Sequence, residues 1–221
     1  MNILINYPKR GEGGPAFSLE LAKGLQDCGH QVYAVLVKEM INADQWEQEL
    51  PEGHVVFLKS HKPGSKISFL LTTMHFLFID CFKLKKKFRK IGIDISIRTL
   101  YSHWGPMVDK AVKPDMITAI CHDPKAHSGA NRVEKLYYNF YHNVEGIFVL
   151  TRSFAAETAG LYKLPLEKVH FVPHGRMNMY KVNDKLSSIQ SEYTKQYHFL
   201  FFGRIEDYKG LHILAKAYKA V

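Results

Sequence analysis

The chain is poor in the residues that hold small or metal-dependent folds together. Its three cysteines (Cys28, Cys81, Cys121) are too few and too scattered for a disulfide framework, and no C-x-x-C pair suggests zinc. A reducing, cytoplasmic setting is the corresponding expectation. The start, MNILINYP, has neither the basic opening nor the small-residue cleavage site of a secretory signal. No apolar run reaches the ~20 residues needed to cross a bilayer. There is no internal repeat and no low-complexity tract. Neither a helix-turn-helix nor an aromatic RNA-binding signature is present, so a nucleic-acid partner ranks low. Acidic residues are scarce as well: 21 Asp and Glu against 30 Lys and Arg leave a net charge of +9.

That positive excess is local. Residues 1–60 carry 5 basic and 8 acidic groups, residues 61–110 carry 10 and 3, and the remainder carries 15 and 10. The middle segment therefore sets up a positive field that suits a polyanion or an anionic membrane surface.

What is present is a core-forming α/β pattern. With 46% hydrophobic and 23% charged residues, the chain can bury a real core. Short runs rich in β-branched residues recur: ILIN, QVYAVLV, HVVFL, IDISI, MITAIC, GIFVL and KVHFV. Most are separated by helical or polar stretches, as repeated βα units require. PAFSLELAKGLQDCG reads as the first helix, with Pro15 in the tolerated first turn and Gly29 as its stop. Continuous hydrophobicity in the strands implies a parallel sheet covered on both faces. The expectation is a Rossmann-like domain over residues 1–175 and a polar linker over 176–196. Residues 197–221 then open an incomplete second domain.

Four stretches carry chemistry. In YPKRGEGGPAF, Gly11, Gly13 and Ala16 formally satisfy G-x-G-x-x-G/A, and Glu39 lies near the end of the next strand. A nicotinamide-dependent oxidoreductase is therefore one alternative. However, Tyr7 to Arg10 lengthen the loop beyond the dinucleotide pattern, which favours an anion- or sugar-contacting glycine loop at a helix N-terminus. In AICHDPKAHSGANR, His122 and Asp123 should emerge at the carboxyl edge of the sheet, with Lys125, His127 and Arg132 in the same loop. Substrate contact is the favoured reading, ahead of a plain polar loop. A metal held by His122, Asp123 and His127 comes third, because the spacing matches no known ligand pattern.

In KISFLLTTMHFLFIDCFKLKKKFRK, residues Ile67 to Phe82 are apolar almost all round a helix. Lys83, Lys85, Lys86, Lys87, Arg89 and Lys90 follow within eight residues. Two readings stand nearly level: a buried crossover helix whose basic end complements its dipole, and a surface dipping into an anionic membrane, slightly favoured. In FFGRIEDYKG, Arg204 and Lys209 can both point at one anion over the N-terminus of the helix that follows.

Taken in order, FVLTRSFAAETAG, KVHFVPHG, the linker and HFLFFGRIEDYKGLHILAKAY resemble the retaining glycosyltransferases of family four, which have the two-domain GT-B fold. CHDPKAHSG is similar to an HDPxxHxG loop in members that build exopolysaccharides. The resemblance implies that Arg204 and Lys209 bind the diphosphate of a nucleotide-activated sugar, and that Gly13 and Gly14 lie in the cleft. It also implies that His122 contacts the transferred sugar or orients the acceptor. No metal or other cofactor is implied; the nucleotide-sugar is a co-substrate, and the acceptor is a saccharide or a lipid-linked saccharide. In the family the E-x7-E element that grips the donor lies in the C-terminal domain, beyond these 221 residues, so the chain is expected to be a fragment, inactive or nearly so alone. Its last strand and helix should expose Leu200, Phe202, Leu211 and Leu214. A non-catalytic carbohydrate-binding module is the alternative from a different class.

Overall fold

The computed structural model describes residues 1–11, 13–125, 140–141, 143–175, 200–201, 205 and 209–219, and the structural statements below concern these residues. The chain divides into two compact units, Met1–Met179 and Tyr180–Val221.

The first unit is an α/β fold built on one parallel sheet with helices on both faces. Its strands are β1 (Asn2–Tyr7), β2 (Gln31–Val37), β3 (Val55–Leu58), β4 (Ile95–Arg98), β5 (Met116–Cys121), β6 (Gly146–Val149) and β7 (Val169–Phe171). They lie in the order β3-β2-β1-β4-β5-β6-β7. These are the seven apolar runs read from the sequence. Burial on both faces explains their continuous hydrophobicity: Ile3, Leu4, Ile5 and Tyr7 of β1 and Val35, Leu36 and Val37 of β2 are all buried. Helix α1 (Gly14–Asp27) carries Pro15 in its first turn, and Gly29 just beyond its end adopts φ +82°, the left-handed conformation a stop signal requires.

The helices that follow are α2 (Ala43–Glu49), α3 (Lys66–His75), α4 (Cys81–Ile91), α5 (Gly105–Val112) and α6 (Phe154–Tyr162). A π-helical turn, Phe76–Asp80, joins α3 to α4, so that one continuous helix runs over Lys66–Ile91. At 26 residues it is long and apolar enough to cross a membrane by length and composition, although its apolar stretch from Ile67 to Phe82 is shorter than the ~20 residues a span needs. The alternative of a buried crossover helix is overturned. Ile67 is 74% exposed, Leu70 61%, Phe78 71% and Phe82 68%. Only a stripe formed by Phe76, Asp80, Leu84 and Phe88, four residues apart, turns inward. Phe76 stacks on Trp104, with centroids 5.5 Å apart and planes 3° apart, and Phe88 meets Tyr33 edge-on at 6.1 Å.

Parallel pairing of β1 with β4 sets Asn6 beside Arg98. Beneath them Asp109 of α5 accepts from Arg98 Nε at 2.6 Å, from Asn6 Nδ2 at 2.8 Å and from Ser96 Oγ. Both charged side chains are buried. Arg98 also donates to the Phe140 carbonyl and lies over the Phe140 ring at 5.2 Å. This charge network ties α5 to two strands, and no sequence motif announced it. On the same face of the sheet, next to Phe140, Cys121 is buried among Tyr141, Val144 and Tyr162. Burial pushes its thiol up to about 11, which keeps it protonated and unreactive.

In the second unit, helix α7 (Leu211–Tyr218) starts after Gly210, which has φ +67°. It has no buried residue: Ile213, Leu214 and Tyr218 are exposed, as is Leu200 before it, and Leu211 is half-buried. The expected strand around Phe202 lies outside the described residues, as does the linker.

Candidate functional site

The chain leaves β1 for α1 toward one side of the sheet and later leaves β4 toward the other. In open α/β sheets a ligand crevice forms at such a switch point, outside the carboxyl ends of the strands. Here that position holds a cleft of about 400 Å³. Three loops wall it: Pro8–Gly11 after β1, Ser60, His61 and Pro63 after β3, and Tyr101–Trp104 after β4; Phe69 of α3 closes one side.

Its polar groups are mainly nitrogen bases and cations. Arg10 Nη2 lies 3.8 Å from Glu39 Oε1, and its Nε donates to Ser60 Oγ. Glu39 in turn accepts from the Ser60 amide at 3.2 Å and the Ser60 hydroxyl at 2.9 Å. Glu39, the acid that completes the formal dinucleotide pattern, is thus occupied in holding Arg10. His61 packs edge-on against Phe69 at 5.1 Å and Trp104 at 6.2 Å. His103 Nδ1 lies 2.8 Å from the Tyr101 hydroxyl. Partial burial, then the nearness of His61 and Lys9, pushes the His103 imidazole below its ordinary value.

His122 stands a short way along the same edge, at the end of β5. Its Nε2–H donates to the Thr99 carbonyl at 3.0 Å, because that oxygen can only accept. The bond fixes the tautomer in which Nδ1 is the acceptor. Phe17 of α1 packs edge-on against the ring at 4.7 Å and contacts His174, beyond β7, at 5.3 Å. Burial chiefly, with the nearby His174, pushes His122 below the ordinary histidine range, against the opposing effects of Thr99 and Asp123. A neutral imidazole with a fixed acceptor nitrogen suits a sugar hydroxyl. Asp123 is exposed beside it. A separate groove of about 590 Å³ runs between α1 and the sheet face, past Phe17, Ile97, Ile120, Phe148 and His174.

The glycine pair has two different environments. Gly13 precedes α1 with φ −73°, and a Cβ added there meets nothing within 4 Å. Gly14 is buried, and an added Cβ would lie 2.5 Å from the Tyr7 hydroxyl oxygen and 2.6 Å from two ring carbons. Tyr7 cannot retreat, because it is fully buried and its hydroxyl donates to the Gly11 carbonyl at 2.5 Å. Gly14→Ala should therefore lower stability by about 1–3 kcal/mol, while Gly13→Ala should change it little. Urea unfolding of the two variants checks this, and equal effects would contradict the packing argument.

His127, Arg132 and Arg204 lie outside the described residues. Lys209 is exposed in the second unit. Among the described residues no group of three or more His, Cys, Asp or Glu side chains could hold a metal ion. Of the six basic residues of α4, five are exposed. Lys87 instead turns back to donate to the Gly53 carbonyl, and burial pushes its ammonium below the ordinary lysine range. Sequence reasoning missed His61, Tyr101, His103 and Trp104. A signal existed, since each follows an apolar strand run closely enough to emerge at the carboxyl edge.

An α/β fold with its open crevice at the strand ends defines the class, and the comparisons give the family. Glycosyltransferase Family 4 matches residues 12–176. The chain belongs to that family, whose fold is GT-B. A glycosyltransferase from Rickettsia africae superposes with a TM-score of 0.64 at 16% identity, covering 98% of this chain and 56% of that one. Anabaena Alr3699/HepE in complex with UDP gives 0.66 at 15% identity, covering 99% and 57%. Acinetobacter baumannii MurG gives 0.51 at 12%, covering 79% and 46%. The chain thus spans about half the length of these structures. No curated protein matches it.

Proposed function

We propose that the protein transfers a sugar from a nucleotide-sugar donor to a saccharide or lipid-linked saccharide acceptor, with retention of configuration, and that the unit described here is the acceptor side. Membership of Glycosyltransferase Family 4 across residues 12–176 carries this reading. Gly13 and the loop before it border the acceptor, His122 accepts from a sugar hydroxyl, and Asp123, His127 and Arg132 add polar contacts. Arg204 and Lys209 stabilise the negative charge that develops on the leaving diphosphate. UDP-glucose, with which the Anabaena protein is also seen in complex, is the first donor to try.

The reaction takes place at an anionic membrane surface, on which the Lys66–Ile91 helix lies. Ile67, Leu70, Leu71, Met74 and Phe78 recur at helical spacing and are all exposed, and Lys83, Lys85, Lys86, Arg89 and Lys90 follow them. The helix lies on the surface rather than across it, because spanning would strip Phe76, Leu84 and Phe88 from the core.

The test uses the protein expressed from its own reading frame, supplied with nucleotide-sugars and membrane-extracted saccharide. Acceptor-dependent release of nucleoside diphosphate is expected, and His122→Ala should lower it by ~10²-fold or more. Saturable NADH binding without such release would replace the reading with an oxidoreductase. Saccharide binding indifferent to nucleotide-sugars would replace it with a binding module.

A further inference from the structure

Helix α1 carries an aromatic residue that neither hydrophobic core takes up. Leu19, Leu21 and Leu25 of that helix pack into the larger core, whereas Phe17, just past the glycine pair, is half-buried and belongs to neither. Among the described residues its ring partners are both imidazoles. It meets His122 edge-on, with centroids 4.7 Å apart and planes 77° apart, and His174 at 5.3 Å and 57°. Phe17 also lines the open groove along α1, so truncating it enlarges that groove instead of leaving a sealed cavity.

A second observation concerns His122. Its one hydrogen bond, from Nε2–H to the Thr99 carbonyl at 3.0 Å, leaves the ring free to pivot about the donor–acceptor line. A contact from another direction is needed to fix the plane, and Phe17 supplies it. The charged or titratable groups acting on the imidazole are His174, from beyond β7, and Asp123, next along the chain. Phe17 of α1 and Thr99 after β4 bring no charge. A ring that turned over would offer its N–H to Asp123 or His174 instead of Thr99, and Nδ1 would cease to be the acceptor.

We propose that Phe17 is the positioning residue for His122: its ring holds the imidazole so that Nε2–H stays on the Thr99 carbonyl and Nδ1 faces the sugar hydroxyl as an acceptor. An edge-to-face aromatic contact does this without a hydrogen bond of its own, which would compete for Nδ1. Phe17 acts through His122, so its effect on the rate rests on the reading of His122 as the partner of a sugar hydroxyl; its effect on the tautomer does not.

Imidazole nitrogen NMR of the 221-residue chain reads that tautomer, with His122 assigned from His122→Ala. In the native chain Nδ1 should give the resonance of a bare ring nitrogen and Nε2 that of a protonated one. Phe17→Ala should mix the two forms. Burial is the chief cause holding His122 below the ordinary histidine range, so its titration midpoint should also rise toward that range. Phe17→Leu, which keeps apolar bulk, should mix the tautomers as well, while Phe17→Tyr, which keeps the ring, should not. In the protein expressed from its own reading frame, Phe17→Ala should lower kcat about tenfold and leave KM within about twofold. Its rate should also fail at a higher pH on acidification, because protonated His122 has no acceptor. A single native tautomer in both Phe17→Ala and Phe17→Leu overturns the proposal, whatever the midpoint does. Mixed tautomers with an undiminished kcat overturn it too, provided that His122→Ala is slow. If His122→Ala is itself fully active, the reading of His122 falls, and the hold of Phe17 on the ring stands.

Discussion

Asp109→Ala should destabilise the first unit by about 3–5 kcal/mol, a large part of the 5–15 kcal/mol that typically separates folded from unfolded domains. The reason is what the substitution leaves behind. Arg98 is buried under the sheet, and its Nε bond to Asp109 is its charge partner there. Removing the carboxylate strands a guanidinium away from water and leaves Asn6 Nδ2 and Ser96 Oγ without one acceptor. Asp109→Asn should be nearly as harmful, because shape is kept and charge is lost. The double variant Arg98→Met/Asp109→Leu should lose less than Asp109→Ala alone, since no unpaired charge remains. Urea midpoints for the three variants decide the matter. A loss below about 1 kcal/mol for Asp109→Ala would show that water reaches Arg98 and that the pair is not truly buried.

Reversing four exposed charges on α4, with Lys85→Glu, Lys86→Glu, Arg89→Glu and Lys90→Glu, should abolish retention on anionic vesicles. Each basic side chain near such a surface contributes about 1 kcal/mol, so four are worth about 4 kcal/mol, or ~10³-fold in partitioning, before repulsion is counted. Exposure of all four means that the fold should be unaffected. Replacing Phe78 and Phe82 with serine should weaken binding by a different route, the loss of about 1.5–3 kcal/mol of apolar burial each. The two sets separate by salt: binding that survives on the aromatics alone should be insensitive to ionic strength, whereas the native protein should release as the Debye length shrinks. Sedimentation with phosphatidylglycerol vesicles measures both. Equal retention on neutral vesicles, or no response to charge reversal, would remove the anionic surface from the proposed function, and no retention on either kind of vesicle would remove the membrane.

The exposed helix adjoins the cleft. Phe69 lines the cleft, while Leu70, Leu71 and Met74 beside it on the same helix are open to solvent. An apolar surface this large is costly to leave in water and marks an interaction site.

The sequence by itself determined the architecture. Seven apolar runs became seven strands, because burial on both faces of a parallel sheet demands continuous hydrophobicity, and that is visible in one dimension. It also placed His122 at the carboxyl edge, since a strand's direction fixes which end its loop leaves. Several things were decided only by the tertiary structure. The helix Lys66–Ile91 could be judged exposed only once its inner stripe had met Trp104 and Tyr33, since a helix apolar all round gives no hint of which side is covered. Gly14 was legible as a loop glycine, but its contact with Tyr7 depends on how α1 sits against β1. His61 and His103 lie 42 positions apart with no motif between them, and Asp109 and Asn6 are 103 apart. Such pairs meet only through strand register and loop direction, which composition and periodicity do not encode.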